Sequence, residues 1–459
     1  MATIPQLPLF NWQQIDPASD LDRLRLVLEA LPDEPLVRFL EDRRGRGRDD
    51  YPVRPMWNAV IAGVVFQHPS CAALARELWR NPGLRQLCGF DPSSRNGYQP
   101  SQDAMERFLA LVVEHRDLLT GIFHQLIDEL SRELPDLGRR LAVDSKAVQS
   151  AGKPVRDEEK QQDPDGRRDL DADWGTKTYK GKKKDGTAWE KVVRWFGYKL
   201  HLLVDSNYEL PLAFEVTKAS AGDPDHLLPL VEDLQEHHAD LHRRAEELSG
   251  DKGYDSLNNY RGLHDDHDIK PVIDTRQLWN DPAPRTLFGE RYDVFSYDES
   301  GRVYCTCPSV RRDEDERREL AFAGFEKDRQ TLKYRCPAAF YGFECPGRAE
   351  CEALSPGRVG PYGRVVRVPL ELDRRIFTAV PRHTLKWKKA YARRTAVERV
   401  NARIDRVLGF ELHFIRGQAK MEMRVTLGLA VLLAMALGRI RANQAELMRS
   451  LTRPIARAA

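Results

Sequence analysis

Arg140 to Val148 reads RLAVDSKAV, and its alternation decides what kind of fold the chain builds. Leu141 and Val143 point to one face and Asp144 to the other, which is the period of a β-strand. Order of the same kind returns in FGYKLHLLVD (196–205) and LAFEVT (212–217), read as two neighbouring strands. Asp223-Pro224-Asp225 then caps a helix starting near His226, Leu248 to Asp251 gives a further strand or its exit, and Ile269 to Ile273 another short one. Strand, hairpin, helix, strand predicts a mixed α/β sheet. Residues 153–186 interrupt the pattern and are too polar to form a core element.

On either side of this sheet the period is helical. Leu21, Leu24, Leu26, Val27, Leu28 and Leu31 give one apolar stripe. Val60 to Phe66 gives a buried stretch after Pro55, and Phe108 to Val113 continues from Met105. Arg43, Arg44, Arg46 and Arg48 form a basic linker, either solvated or facing phosphate. Residues 276–375 carry many arginines and a cysteine cluster, and the helical pattern resumes from Trp387. Four parts result: a helical domain 1–135, the first part of the α/β domain 136–275, an insertion 276–375, and helices 376–459 that complete the domain.

Size and composition set outer bounds. A chain of 459 residues has room for about three domains, taking roughly 150 residues each. Its net charge of +2 makes any case for nucleic acid a regional one. No cationic, apolar leader opens the sequence, so a secretory signal is not expected. Val425 to Leu437 is apolar but shorter than the ~18 residues of a spanning helix, and reads as a buried core helix with no membrane role. Seven cysteines, most of them between 305 and 351, favour metal or reduced thiols over disulfides and a cytoplasmic setting.

The chemistry lies in acids at element ends. Asp144 sits in an apolar strand, where it is either a solvent-facing residue or a ligand. Asp251 lies in SGDKGYDS between Gly250 and Gly253, either a turn residue or a second ligand, with Asp255 and Asp274 competing for that role. In YARRTAVERVNARIDRVLGF (391–410), Val397, Val400, Ile404 and Val407 or Leu408 form the buried stripe. Tyr391, Arg394, Glu398 and Asp405 share a second face. Arg394 and Glu398 are either an ordinary surface ion pair or a cation set beside a metal-bound carboxylate.

Taken together, VDSK around Asp144, GDKGYDS around Asp251 and Y-x2-R-x3-E at Tyr391, Arg394 and Glu398 resemble bacterial insertion-sequence transposases of the DDE type. The resemblance is to the group whose last motif is Tyr-Arg-Glu-Lys, and it extends to the helical segment 51–108 and to GYKLHLLVDSNYELPLAFEVTKASAGDPDHLLPL. It implies a ribonuclease-H-like mixed sheet, with Asp144 on the first strand, Asp251 near the fourth and Glu398 on a late helix. It also implies double-stranded DNA partners (the element's terminal inverted repeats and the target), a homodimer that holds two ends, and a bacterial, nucleoid-associated setting. One position departs: Asp405 stands where the motif has its lysine, and Arg406, about 80 degrees round the helix from Glu398, is a candidate substitute.

Attack on a phosphodiester needs an activated oxygen nucleophile and charge stabilisation at the entering and leaving oxygens. Two Mg²⁺ ions roughly 3.5–4 Å apart supply both, and Mn²⁺ should substitute. Two Asp and one Glu are the hard oxygen ligands such ions take. The expected reaction is strand cleavage at the element's ends, then joining of the freed 3′-hydroxyl to target DNA. The alternatives are a nuclease that cuts without joining and a non-catalytic DNA-binding descendant. Lys386, Lys388, Lys389, Arg394, Arg403 and Arg406, with Trp387 and Tyr391 interleaved, form a basic stretch for phosphates and an unpaired base. The lysines of KTYKGKKK (177–184) are a weaker signal of the same kind. Cys305, Cys307, Cys336, Cys345 and Cys351 give either a structural Zn²⁺ site or reduced thiols. His201 and Asp223 fall near the site as structural or supporting groups.

Overall fold

A computed structural model describes residues 20–45, 51–90, 99–154, 167–182, 185–276, 278–281, 283–288, 295–307, 316–345, 347–354 and 359–453. Arg46 and Arg48 of the basic linker, the side chain of Cys307 and the lysines at 183–184 lie outside the described residues.

The N-terminal part is helical: α1 (Leu21–Ala30), α2 (Glu34–Arg44), α3 (Val53–Val65), α4 (Cys71–Arg80), α5 (Pro82–Cys88), α6 (Gln102–Glu114) and α7 (Arg116–Glu133). Ser70, Asn81 and Ser101 cap α4, α5 and α6 by accepting from the backbone N–H three residues on. The predicted stripe of α1 is buried at Leu24 and Val27.

Next comes a sheet of β1 (Arg140–Gln149), β2 (Asp173–Lys182), β3 (Ala188–Asp205), β4 (Leu210–Lys218), β5 (Glu247–Gly250) and β6 (Lys270–Ile273). The second half of β3 pairs antiparallel with β1 on one side and β4 on the other. β5 pairs parallel with β1, and β6 parallel with β5. The helices α8 (Leu227–His237), α9 (Ala239–Arg244) and α10 (Leu257–Arg261) connect β4 to β6. This mixed sheet, antiparallel over three strands and parallel over the next two, is the ribonuclease-H-like arrangement.

Two expectations need correction. The polar segment 153–186 does contribute a strand: β2 pairs with the first half of β3 as a ribbon at the edge of the sheet. It buries little: Trp174 and Tyr179 stand exposed on it and Trp189 on the facing half of β3, so hydropathy alone does not mark it as a strand. Asp223 does not cap the helix that follows; its carboxylate accepts from Lys199 and Ser145 instead.

Between β6 and the last helices lie two small antiparallel sheets, β7 (Arg285–Thr286) to β10 (Glu316–Glu319) and β11 (Ala321–Glu326) to β13 (Val365–Pro369), with α11 (Pro337–Tyr341) and α12 (Arg348–Leu354). They close over their own apolar cluster of Trp279, Val303, Leu332, Tyr334, Val368 and Phe377. The chain then returns to the sheet through α13 (Leu385–Tyr391), α14 (Thr395–Val407) and α15 (Gln418–Arg441). Val397, Val400 and Ile404 bury the predicted stripe of α14. Although α15 is long and apolar enough to cross a membrane, it is buried against α1, α7 and β4 within the core. A Cβ at Gly438 would lie 2.6 Å from Leu26, so that glycine sets how closely α15 and α1 cross.

Burial holds His201 neutral, its pKa pushed down to about 3, and the same cause holds His383 and His413 near about 4. The unfolded chain protonates these rings below about pH 6.5 while the folded chain does not, so their contribution is complete above pH 6.5 and falls as pH drops. Asp144 and Asp205, both raised to about 6 by burial, act in the opposite direction. For His201 alone the loss at pH 5 is about 2 kcal/mol. Denaturant midpoints measured from pH 7.5 to 5 should therefore fall less in His201→Gln than in wild type; equal slopes would contradict a neutral His201.

Candidate active site

β1 and β5 are parallel neighbours, and β5 ends at Gly250 while β1 runs on through Asp144 to Gln149. The pairing of Val143 with Gly250 makes Asp144 and Asp251 the next residues in register. This is the edge at which open α/β sheets place ligands. Gly250 permits the close approach, since a Cβ there would lie 3.1 Å from Val143. Asp251 accepts from the N–H of Gly253 at 2.7 Å, and a side chain at Gly253 would come within 2.6 Å of that carboxylate.

Asp144 feels both its burial and its neighbour. Its side chain is only 16% exposed, and burial, then the charge of Asp251, raises its pKa to about 6. Asp144 and Asp251 therefore repel in the absence of a cation. Arg394 partly offsets this. One of its nitrogens lies 2.8 Å from Glu398 and 3.5 Å from Asp144, so it joins the first strand to the N-terminal turn of α14. The pair is thus no ordinary surface contact: Arg394 is 20% exposed and faces the acids, while Glu398 stays half open to solvent.

The competitors separate on geometry. The fully buried Asp255 carboxylate accepts from two guanidinium nitrogens of Arg375, Nη2 at 2.6 Å and Nε at 3.1 Å, and from the backbone N–H of Arg276. Asp274 ends β6, one strand further from β1, and accepts from its own loop at Thr275. Asp223 does approach: Ser145 donates to it at 3.0 Å and Lys199 at 2.9 Å. Burial would raise its pKa, but Lys199 outweighs that and holds it low. The buried Tyr254 phenol sits among the same acids, and burial followed by Asp223, Asp144 and Asp251 raises its pKa strongly. Tyr254 escaped the sequence reading because an apolar-looking aromatic in a turn carries no mark of its neighbours. His201, paired in register with Ser145, is bonded to Thr217 at 3.0 Å and stacked on His226.

The basic stretch divides by partner. Lys386, Lys388, Lys389 and Arg406 are exposed. Arg403 is committed to Glu209, through its carboxylate at 2.9 Å and its backbone oxygen at 3.0 Å, and Arg399 pairs with the same carboxylate at 2.7 Å. Arg382 is buried, donating to Ile273, Ile376 and Tyr260. Trp387 is buried and stacks on Tyr391 with centroids 4.6 Å apart, so the two rings cover each other and Trp387 offers no open face to a base. Asp405 accepts from Lys146 at 2.7 Å, as does Glu411. The acid at the motif's lysine position thus meets a lysine supplied two residues after Asp144.

Cys305, Cys336, Cys345 and Cys351 line one cavity of about 440 Å³. Arg318 donates to Cys345 at 3.2 Å, and Arg364 approaches Cys305 at 3.8 Å. Among the described residues no three of these sulfurs come within 4.8 Å of one another, the separation a shared metal requires.

Residues 135–434 match the family described as Transposase DDE domain. The chain belongs to the DDE transposase family. Residues 10–111 match a second family, described as Transposase domain, so both the helical segment and the sheet of this transposase are covered. No curated protein matches the chain.

The Lys146–Asp405 pair gives a direct test of the transposase's altered position. Both side chains are largely buried, at 12% and 24% exposure, so Asp405→Lys sets two ammonium groups together and should cost about 2–4 kcal/mol. The swap Lys146→Asp with Asp405→Lys should recover most of it in a double-mutant cycle by chemical denaturation. A harmless single substitution would show that the pair does not form.

Proposed function

We propose that this protein is an active DNA transposase in which Asp144, Asp251 and Glu398 together hold two Mg²⁺ ions, with Mn²⁺ able to substitute. The observation that carries the reading is the convergence of the three carboxylates: register sets Asp251 beside Asp144, and one Arg394 nitrogen ties Asp144 to Glu398. The donor set fits such ions, because all three ligands are hard oxygens and a bound cation relieves the Asp144–Asp251 repulsion. Bound there, the ions would activate water or a 3′-hydroxyl and stabilise charge on the entering and leaving oxygens.

The remaining groups position the substrate. Arg394 occupies the space between the acids and is free to turn to a phosphate when cations take its place. Lys386, Lys388, Lys389 and Arg406 face solvent on the same basic stretch and hold the backbone. Tyr391, stacked on Trp387, braces Arg394 through its ring at 5.9 Å. The Lys199–Asp223 pair with Ser145 and Tyr254 fixes the backbone that carries Asp144 and Asp251. The β2–β3 ribbon, with exposed Trp174, Tyr179, Trp189 and Lys177, extends the DNA track from the sheet edge. The helices of residues 1–135 bind the element's ends, and two copies of the chain hold two ends.

Cleavage and joining of labelled DNA carrying the element's own ends tests this. Asp144→Asn and Glu398→Gln should each lower cleavage on the order of a thousandfold or more, with DNA binding kept within a few-fold. Cutting without joined products in wild type would leave a nuclease, and equal cleavage by wild type and variants would remove the carboxylates from the mechanism.

A further inference from the structure

A second group of metal-ligating side chains lies outside the acid site, where α7 meets α8. His124 comes from α7, and Asp233 and His237 come from the C-terminal end of α8. One donor atom from each lies within 4.8 Å of the other two. The residues before α8 carry Asp223, so the two groups sit at opposite ends of a helix of 11 residues, roughly 16 Å long.

The hydrogen bonds around His124 prepare one nitrogen as a ligand. Asp128 accepts from Nδ1 of His238 at 2.8 Å. With its Nδ1 proton hydrogen-bonded to Asp128, the neutral His238 ring presents Nε2 as an acceptor, 3.0 Å from Nδ1 of His124. His124 therefore carries its proton on Nδ1, and its Nε2 presents a lone pair. That Nε2 is shut off from solvent and has no hydrogen-bond partner. A carboxylate–imidazole relay behind a ligating histidine is the arrangement that fixes tautomer and ring direction at metal sites.

The two remaining donors are adjacent. His237 stacks on His124 with centroids 3.9 Å apart and planes 6° from parallel, and its Nδ1 lies 3.1 Å from the Asp233 carboxylate. Parallel rings do not aim at one point, but the His237 side chain is 39% exposed and turns at little cost. A cavity of about 480 Å³, lined by His124 and Asp233 with Arg116, Glu215 and Glu422, opens beside the group and admits an ion and its waters.

We propose that His124, Asp233 and His237 form a binding site for a borderline transition-metal cation of the Zn²⁺ class, clasping α7 to α8. Two imidazoles and one carboxylate select such a cation over the hard Mg²⁺ that suits the three acids. The site would lock the N-terminal helices to the sheet that carries Asp144 and Asp251.

The test uses the full chain, stripped of metal and then held in excess Mg²⁺ to fill the acid site, titrated with Zn²⁺ and Co²⁺. One equivalent should bind with Kd about 1 μM or tighter. Zn²⁺ should raise the melting temperature, and bound Co²⁺ should show visible bands without the strong near-ultraviolet absorption of a thiolate ligand. His124→Gln should weaken binding at least a hundredfold, and Asp128→Asn by about 10–100-fold through the relay. His237→Gln, on an exposed side chain that leaves the relay intact, guards against a folding defect and should also lose the site. Glu398→Gln should bind Zn²⁺ as wild type does. Absence of binding below about 1 mM, thiolate absorption, or binding that survives His124→Gln and His237→Gln would overturn the proposal.

Discussion

Two carboxylates brought side by side, one within β1 and one just past the end of its parallel neighbour β5, are the constraint around which this protein is arranged. Neither can be moved without changing the register of β1 against β5, and burial already disfavours the charge on Asp144. The neighbourhood answers with cations at graded distance. Arg394 reaches between Asp144 and Glu398, Lys199 neutralises Asp223, and Lys146 is shared by Asp405 and Glu411. In the proposed function, divalent metal and phosphate bind here because positive charge entering the site relieves the repulsion between Asp144 and Asp251.

The rest of the fold holds that edge still. α14 brings Glu398 to the sheet by burying Val397, Val400 and Ile404, while Arg399 and Arg403 anchor it to Glu209 after β3. α15 continues the same core to α1 and α7, so one apolar cluster joins the N-terminal helices to the strands. The insertion keeps its own core, and its Arg375 reaches across to Asp255 just beyond Asp251. Breaking that contact would strand a buried carboxylate four residues from the site.

Much of this was legible because burial writes a period into sequence. β1, the second half of β3, β4, β5 and β6 all show as apolar alternation or short apolar runs, and the stripe of α14 fixes which face carries Glu398. What stayed hidden depends on partners distant in sequence. Asp251 and Asp255 look alike until Arg375 claims one of them. Asp223 reads as a helix cap, yet Lys199 and Ser145 take it. The β2 strand has no buried face to announce it, and its pairing with β3 alone makes it a strand. Arg403 reads as one more base in a basic stretch, although Glu209 holds it. Asp405 reads as a damaged motif, and only β1 running past α14 supplies the lysine that answers it.

The most direct test of the central claim is an anomalous-scattering map of crystals grown with Mn²⁺ and a DNA end. Manganese should lie bounded by Asp144, Asp251 and Glu398, with Arg394 turned from the carboxylates to a phosphate. Manganese held elsewhere, or Arg394 still locked between Asp144 and Glu398 with metal and DNA both bound, would contradict that claim.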